Sequence, residues 1–167
     1  MSYRVEPLAG HDLDAFDCGH DALTEWLQRH ARNATGQGTR TYLLVEDATR
    51  TVAGYFAVAP YLVERDTAPP GVGRGAPNRI PAILLAKLAL RSDLHGQGLG
   101  GELLVYALTT IVTAARSAGG HLIVVDAVDS NAADFYRAHD FQPSSTDPCR
   151  LIMKLSTTAR ALDLPWP

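Results

Sequence analysis

Residues 84 to 105, LLAKLALRSDLHGQGLGGELLV, constrain the fold of this 167-residue chain more than any other segment. An apolar strand pattern, Leu84 to Leu90, passes through a polar turn into His95-Gly96-Gln97-Gly98-Leu99-Gly100, and a helical pattern follows at once. Glycines there let the backbone approach a ligand and turn several N–H groups toward one point. The next helix adds the partial positive charge of its N-terminus. Strand, loop and helix together form a unit suited to holding phosphates.

The remaining pattern supplies a sheet around that unit. Arg4 to Leu8 reads as a short strand, and His20 to Ala34 places Leu23, Trp26, Leu27 and Ala31 on one helix face. Thr39 to Val45 and Val52 to Val63 read as strands joined by a turn at Asp47 to Thr51, predicting an antiparallel hairpin. Asp66 to Pro81, with four prolines and three glycines, is expected to be an irregular loop before a strand at Ile83 to Leu90. A helix from about Gly100 to Arg116 presents Leu103, Leu104, Ala107, Leu108 and Ile111 on one face, and Gly119-Gly120 ends it. His121 to Ala127 is apolar enough for a buried central strand. Asn131 to His139 reads as a short helix, and Phe141 to Ser144 with Arg150 to Leu155 as a closing hairpin. Residues 1–157 are read as a single domain and 158–167 as a loose tail. The order of elements gives an α+β fold, a mixed, mostly antiparallel sheet of six to seven strands with about four helices.

Composition narrows the class. The chain is 46% hydrophobic and 20% charged, as ordinary globular proteins are. No apolar run approaches the roughly 20 residues that span a bilayer. Met1 to Gly10 lacks the basic-then-apolar pattern of a signal peptide, so a cytoplasmic location is expected. Cys18 and Cys149 are too few and too far apart for a disulfide scaffold or a zinc site, and no His or Cys shows ligand spacing; no metal is expected. The net charge of −3 argues against a general nucleic-acid coat. Seven of the 15 basic residues nevertheless fall in two acid-free stretches: Arg29, Arg32 and Arg40 in one, Arg74, Arg79, Lys87 and Arg91 in the other. These either form positive patches or are balanced in space by acids from elsewhere.

The glycine loop fits two patterns. As Gly96-x-Gly98-x-x-Gly101 it matches a dinucleotide fingerprint, with Asp126 at the end of the next strand. Against that match, Arg91 to Leu94 intervene before the loop, and only 41 residues follow Asp126. The preceding half also reads as antiparallel. A purely structural Gly-rich turn is a further alternative.

The other pattern, His95-Gly-Gln-Gly98-Leu-Gly100 opening a helix after a long strand, resembles the pyrophosphate loop of the GNAT superfamily of acyl-CoA-dependent N-acetyltransferases. A second segment agrees: Asn131-Ala-Ala-Asp-Phe135-Tyr136-Arg-Ala-His-Asp140-Phe141 resembles that superfamily's Asn-x-x-Ala…Phe-Tyr-x-x-x-Gly-Phe block. A narrower resemblance covers nearly the whole chain. Phe16-Asp-Cys18-Gly19, Leu23-Thr-Glu-Trp26-Leu27, Gly54-Tyr55-Phe56, Arg79-Ile80-Pro81-x-x-Leu84-Leu85-x-x-Leu88-Ala89 and Val125-Asp126-Ala127 look like the TacT-type toxins of toxin–antitoxin operons. Two departures stand out. His95 occupies a position usually Gln or Arg, and Asp140 replaces the glycine before Phe141, which is tolerable if that position is left-handed.

The resemblance implies a GNAT fold splayed at strands 4 and 5, acetyl-CoA as acyl donor and the amine of aminoacyl-tRNA as acceptor, with translation blocked as the result. It implies a ribbon-helix-helix antitoxin as partner and a homodimer. By the same resemblance, backbone groups of Leu88, Ala89 and Leu90 pair with the pantetheine amides. His95, Gly96, Gln97, Gly98, Leu99, Gly100 and Gly101 hold the pyrophosphate, with the His95 ring donating to it, and Asn131 contacts the CoA arm. Tyr136 is the expected general acid, a phenol of pKa about 10 facing a thiolate whose conjugate acid is near 8.5. Arg29, Arg32, Arg40, Arg74, Arg79 and Arg91 are candidates for gripping tRNA phosphates. His95, His121 and His139 are possible bases by residue type alone. A stand-alone acetyltransferase for a small-molecule or protein amine, and a non-catalytic acyl-CoA-binding regulatory partner, are the alternative readings.

Overall fold

The longest runs of β-branched and apolar residues, 52–64 and 79–90, become the two longest strands of a seven-stranded sheet in the computed structural model, which describes residues 2–167. The elements are β1 (Tyr3–Pro7), α1 (Asp21–Glu25), a π-helical turn (Trp26–His30), α2 (Ala31–Thr35), β2 (Arg40–Glu46), β3 (Val52–Glu64), α3 (Pro70–Gly73) and β4 (Arg79–Leu90). They continue with α4 (Leu99–Ala118), β5 (Leu122–Asp126), α5 (Ser130–Ala138), β6 (Gln142–Pro143), β7 (Arg150–Lys154) and α6 (Leu155–Ala161). Strand order is β1-β2-β3-β4-β5-β7-β6. The β1–β2, β2–β3, β5–β7 and β6–β7 pairs are antiparallel, and β4–β5 is parallel. This mixed sheet excludes the doubly wound parallel sheet that a dinucleotide site needs. The parallel ladder joins Ala82–Leu85 to Leu122–Val125, and β4 then runs on to Leu90.

The chain divides into two compact units: residues up to Ala59 with Ala86–Ala107, and Pro60–Leu85 with Leu108–Pro167. In the first, Leu13, Phe16, Leu27, Leu43, Tyr55 and Ala89 share a core. Tyr55 is fully buried; its hydroxyl donates to the Leu23 carbonyl at 2.6 Å, and the Trp26 ring stacks on it at 5.9 Å. The helix expected at His20 to Ala34 forms, but with a π-helical turn in its middle, where the Ala31 N–H reaches back five residues to the Trp26 carbonyl. Leu27 and Ala31 are buried as the periodicity predicts, whereas Leu23 and Trp26 lie only partly buried at the edge of the same core.

In the second unit Val63, Val72, Ile80, Leu122, Val124 and Ile152 pack together. Two expectations need correction here. The segment Asp66 to Pro81 is not loop throughout. It carries a 3-10 turn at Arg65–Thr67, then α3, with Pro70 in the first helical turn where its missing N–H costs nothing. β4 already begins at Arg79, so Pro81 is a strand residue, and its carbonyl accepts from the His121 N–H at 2.8 Å. The tail is not loose either. Leu155 and Ala159, one helical turn apart, are fully buried and fold the chain into α6, and Arg116 holds the following segment through the Pro165 carbonyl at 3.1 Å.

Candidate functional site

Within the first unit, β4 delivers Leu88, Ala89 and Leu90 to the start of the glycine loop. Gly54 on β3 lets the two strands come together there: a Cβ at that position would stand 3.0 Å from the Ala89 carbonyl oxygen and 3.2 Å from Leu90 Cδ1. Beyond Leu90 the chain is pinned. The Arg91 N–H donates to the Ala53 carbonyl at 2.8 Å, and the N–H and hydroxyl of Ser92 both donate to the Asp17 carbonyl, at 2.9 and 3.0 Å. Gly19, at φ +80°, passes so close that its Cβ would meet Ser92 Oγ at 3.1 Å. Phe16-Asp-Cys18-Gly19 is thus a buttress for the turn before the loop.

The loop itself has the geometry of an anion cradle. Gly96 and Gly98 adopt φ of +77° and +81° on either side of Gln97, and α4 begins at Leu99. Left-handed glycines in this alternation turn successive N–H groups to one side, at the positive end of a 20-residue helix. A Cβ on either glycine would meet nothing within 4 Å, so backbone conformation, not space, requires glycine. Gly100 and Gly101 are partly buried in the first turn of α4. His95 departs from expectation. Its Nε2 lies 2.7 Å from the Leu90 carbonyl, an acceptor only, so the ring N–H is spent on the strand end instead of on phosphate.

In the second unit, α5 starts at an Asp129 cap whose carboxylate accepts from the Ala132 N–H at 2.8 Å, and Asn131 stands exposed in the first turn. Tyr136, 6% exposed, is held edge-on by Phe135 at 5.3 Å and Phe141 at 5.7 Å. Burial pushes its phenol above the ordinary value of 10.0. Asp140 takes φ +73°, so the position where the pattern has glycine is left-handed here, and the Phe141 N–H closes onto the Tyr136 carbonyl at 3.2 Å. Asp126 is not a ribose acceptor: Arg150, its cross-strand partner, grips it at 2.8 and 3.0 Å. Of the other two histidines named as possible bases, His139 bonds the Phe135 carbonyl through Nδ1, and His121 is exposed.

The arginines are less free than their acid-free stretches suggested. Arg29 lies 3.8 Å from Glu25, Arg79 lies 3.6 Å from Glu64, and Arg91 forks onto Asp93 at 2.7 and 3.3 Å. Arg32 donates to the Ala9 and His11 carbonyls and Arg40 to those of Thr35 and Thr39, while Arg74 is exposed. Both cysteines are free thiols, and no His/Cys/Asp/Glu cluster fit for a metal occurs among the described residues.

No model of a protein family matches the sequence. A "tRNA-acetylating toxin" of Mycobacterium tuberculosis is 37% identical over 152 residues, covering 90% of both chains. The chain belongs to the tRNA-acetylating toxins. Solved structures of the AtaT toxin share the fold. AtaT complexed with acetyl-methionyl-tRNAfMet aligns at TM-score 0.87 and 27% identity over 96% of this chain and 99% of its own. A Tyr-to-Phe mutant of AtaT, bound to acetyl-CoA and the C-terminus of the antitoxin AtaR, aligns at 0.81 and 28% over 95% and 97%. For a toxin of this family, the mixed sheet and the strand–glycine loop–helix unit are the GNAT architecture the motifs implied. The sequence reading missed Gly54, Asp17 and Ser92 as supports of the loop. A glycine inside a strand pattern was the available signal for the first. The other two are visible only in three dimensions.

Proposed function

We propose that the chain transfers the acetyl group of acetyl-CoA to the primary amine of an aminoacyl group on charged tRNA, removing the nucleophile that peptide-bond formation needs. Backbone N–H groups of Gln97 to Gly101 take the pyrophosphate, those at Leu88, Ala89 and Leu90 pair with the pantetheine amides, and Asn131 contacts the CoA arm. The observation that carries the reading is the left-handed pair Gly96 and Gly98 opening α4, in a member of this family. An aminoacyl ester suits the reaction. An α-amino group has a pKa of about 8, so roughly a tenth of it is neutral at pH 7 without a dedicated base. The amine nitrogen attacks the thioester carbonyl carbon, the C–S bond breaks, and the thiolate takes the Tyr136 phenolic proton. The proton shed by the acylated nitrogen passes to solvent, which reprotonates the phenolate for the next turnover. Burial keeps that phenol in its acid form. A thiolate released in similarly dry surroundings is a stronger base than in water.

An antitoxin of the ribbon-helix-helix kind restrains the enzyme, which works as a cytoplasmic homodimer. No helix among the described residues is long and apolar enough to cross a membrane. The test is incubation with labelled acetyl-CoA and bulk charged tRNA, followed by nuclease digestion. Label recovered on an aminoacyl nucleotide is the expected result. Label on no aminoacyl nucleotide, from protein that binds acetyl-CoA by calorimetry, refutes the acceptor.

A further inference from the structure

We infer that Lys87 grips the terminal phosphodiester of the tRNA acceptor end, an assignment that rests on the acetyl-transfer reading above. Lys87 is half-buried on β4, one residue before the Leu88–Leu90 segment. Seven arginines hold a carboxylate within 4.0 Å. Lys87 holds none among the described residues; its Nζ lies over the Trp26 ring, 5.7 Å from the centroid. A ring face steers the side chain, yet it accepts no N–H in the way a carboxylate does, so the ammonium keeps its donors for water or for an anion that displaces it.

The platform under that ammonium is rigid. Trp26 stacks on Tyr55 with 10° between the planes, and the Tyr55 hydroxyl is anchored on the Leu23 carbonyl at 2.6 Å. Trp26 also begins the π-helical turn, a local irregularity frequent at functional sites. An ammonium fixed in this way, with donors to spare, is a receptor for an anion.

Position along the chain says which anion. The cradle for the CoA pyrophosphate starts at Gly96, beyond the end of β4, and the pantetheine would run back along Leu90 and Leu88 toward Lys87. Lys87 therefore stands at the thioester end, away from the CoA phosphates. The anion nearest an aminoacyl ester is the phosphodiester of the terminal nucleotide.

The test compares wild type, Lys87→Met and Lys87→Arg. Acceptors are charged tRNA over a range of salt and the matching aminoacyl-adenosine, which carries ester and amine but no phosphate. Lys87→Met should lower kcat/KM on charged tRNA by about tenfold or more, mostly through KM, and reduce the log–log salt slope by about one. Lys87→Arg should restore most of both. Activity on aminoacyl-adenosine and the calorimetric affinity for acetyl-CoA should hold. An unchanged salt slope, an equal loss on aminoacyl-adenosine, or weakened acetyl-CoA binding each overturns the assignment. The last would transfer the anion to the cofactor. Wild-type protein inactive on charged tRNA defeats the parent reading and this one with it, a result distinct from wild-type activity that Lys87 does not influence.

Discussion

Gly54→Ala tests whether the approach of β3 to the end of β4 is what shapes the cofactor strand. The added methyl group would stand 3.0 Å from the Ala89 carbonyl oxygen, 3.2 Å from Leu90 Cδ1 and 3.3 Å from Leu103 Cδ2. The two leucine tips can rotate aside, but the carbonyl belongs to the backbone and must move with its strand. Overpacking of this kind costs about 1–3 kcal/mol. For a chain of this size that corresponds to a fall of roughly 2 to 12 °C in Tm. Because the atom displaced belongs to the segment 88–90, acetyl-CoA affinity should fall as well, well below the melting transition. Thermal unfolding followed by circular dichroism and titration calorimetry with acetyl-CoA at 25 °C read the two effects separately. A variant that melts within a degree of wild type and binds acetyl-CoA equally well would refute the close-approach reasoning.

Three further outcomes are expected. Tyr136→Phe removes the proton donor but keeps both edge-on ring contacts, so turnover should drop about 10²-fold or more while acetyl-CoA affinity holds; unaltered steady-state turnover would remove the role. Gly98→Ala meets no neighbouring atom but forces an alanine to φ +81°, at a cost of about 1–2 kcal/mol. The loop should relax, and calorimetry should show acetyl-CoA binding weakened far more than Tm is lowered. Glu6, bound by Arg50 and His11, has its carboxyl lowered from 4.5 to about 2. A depressed folded-state pKa stabilises above the unfolded value and is lost as pH falls through the folded one. The Tm advantage of wild type over Glu6→Gln should therefore be full at pH 5 and shrink toward zero by pH 2; an offset that stays constant over that range contradicts the sign.

Much of the fold was written in local pattern. Leu103, Leu104, Ala107, Leu108 and Ile111 sit buried on α4 as their spacing required, and the aspartate replacing a glycine at 140 does take a left-handed turn. What local pattern could not carry was pairing across the chain. The acid-free stretches holding Arg29 and Arg91 looked unopposed because Glu25 and Asp93 lie just outside their ends. Those bounding acids are the ones that neutralise them. The π-helical turn at Trp26 left no mark in the local pattern, and the ring on which Trp26 stacks, Tyr55, lies 29 positions away in sequence. α6 escaped because residues 158–167 read as a loose tail, whereas Leu155 and Ala159, buried one turn apart, commit that turn to the core.

The imidazole bridge from His95 to the Leu90 carbonyl has a kinetic corollary. It rivets the first residue of the glycine loop to the last residue of the strand, so the cradle is already cast before any nucleotide arrives. A receptor of that sort has little ordering left to do on contact. Acetyl-CoA should load in a single fast step at a rate set by encounter, and differences in affinity among loop variants should register in how quickly the cofactor leaves.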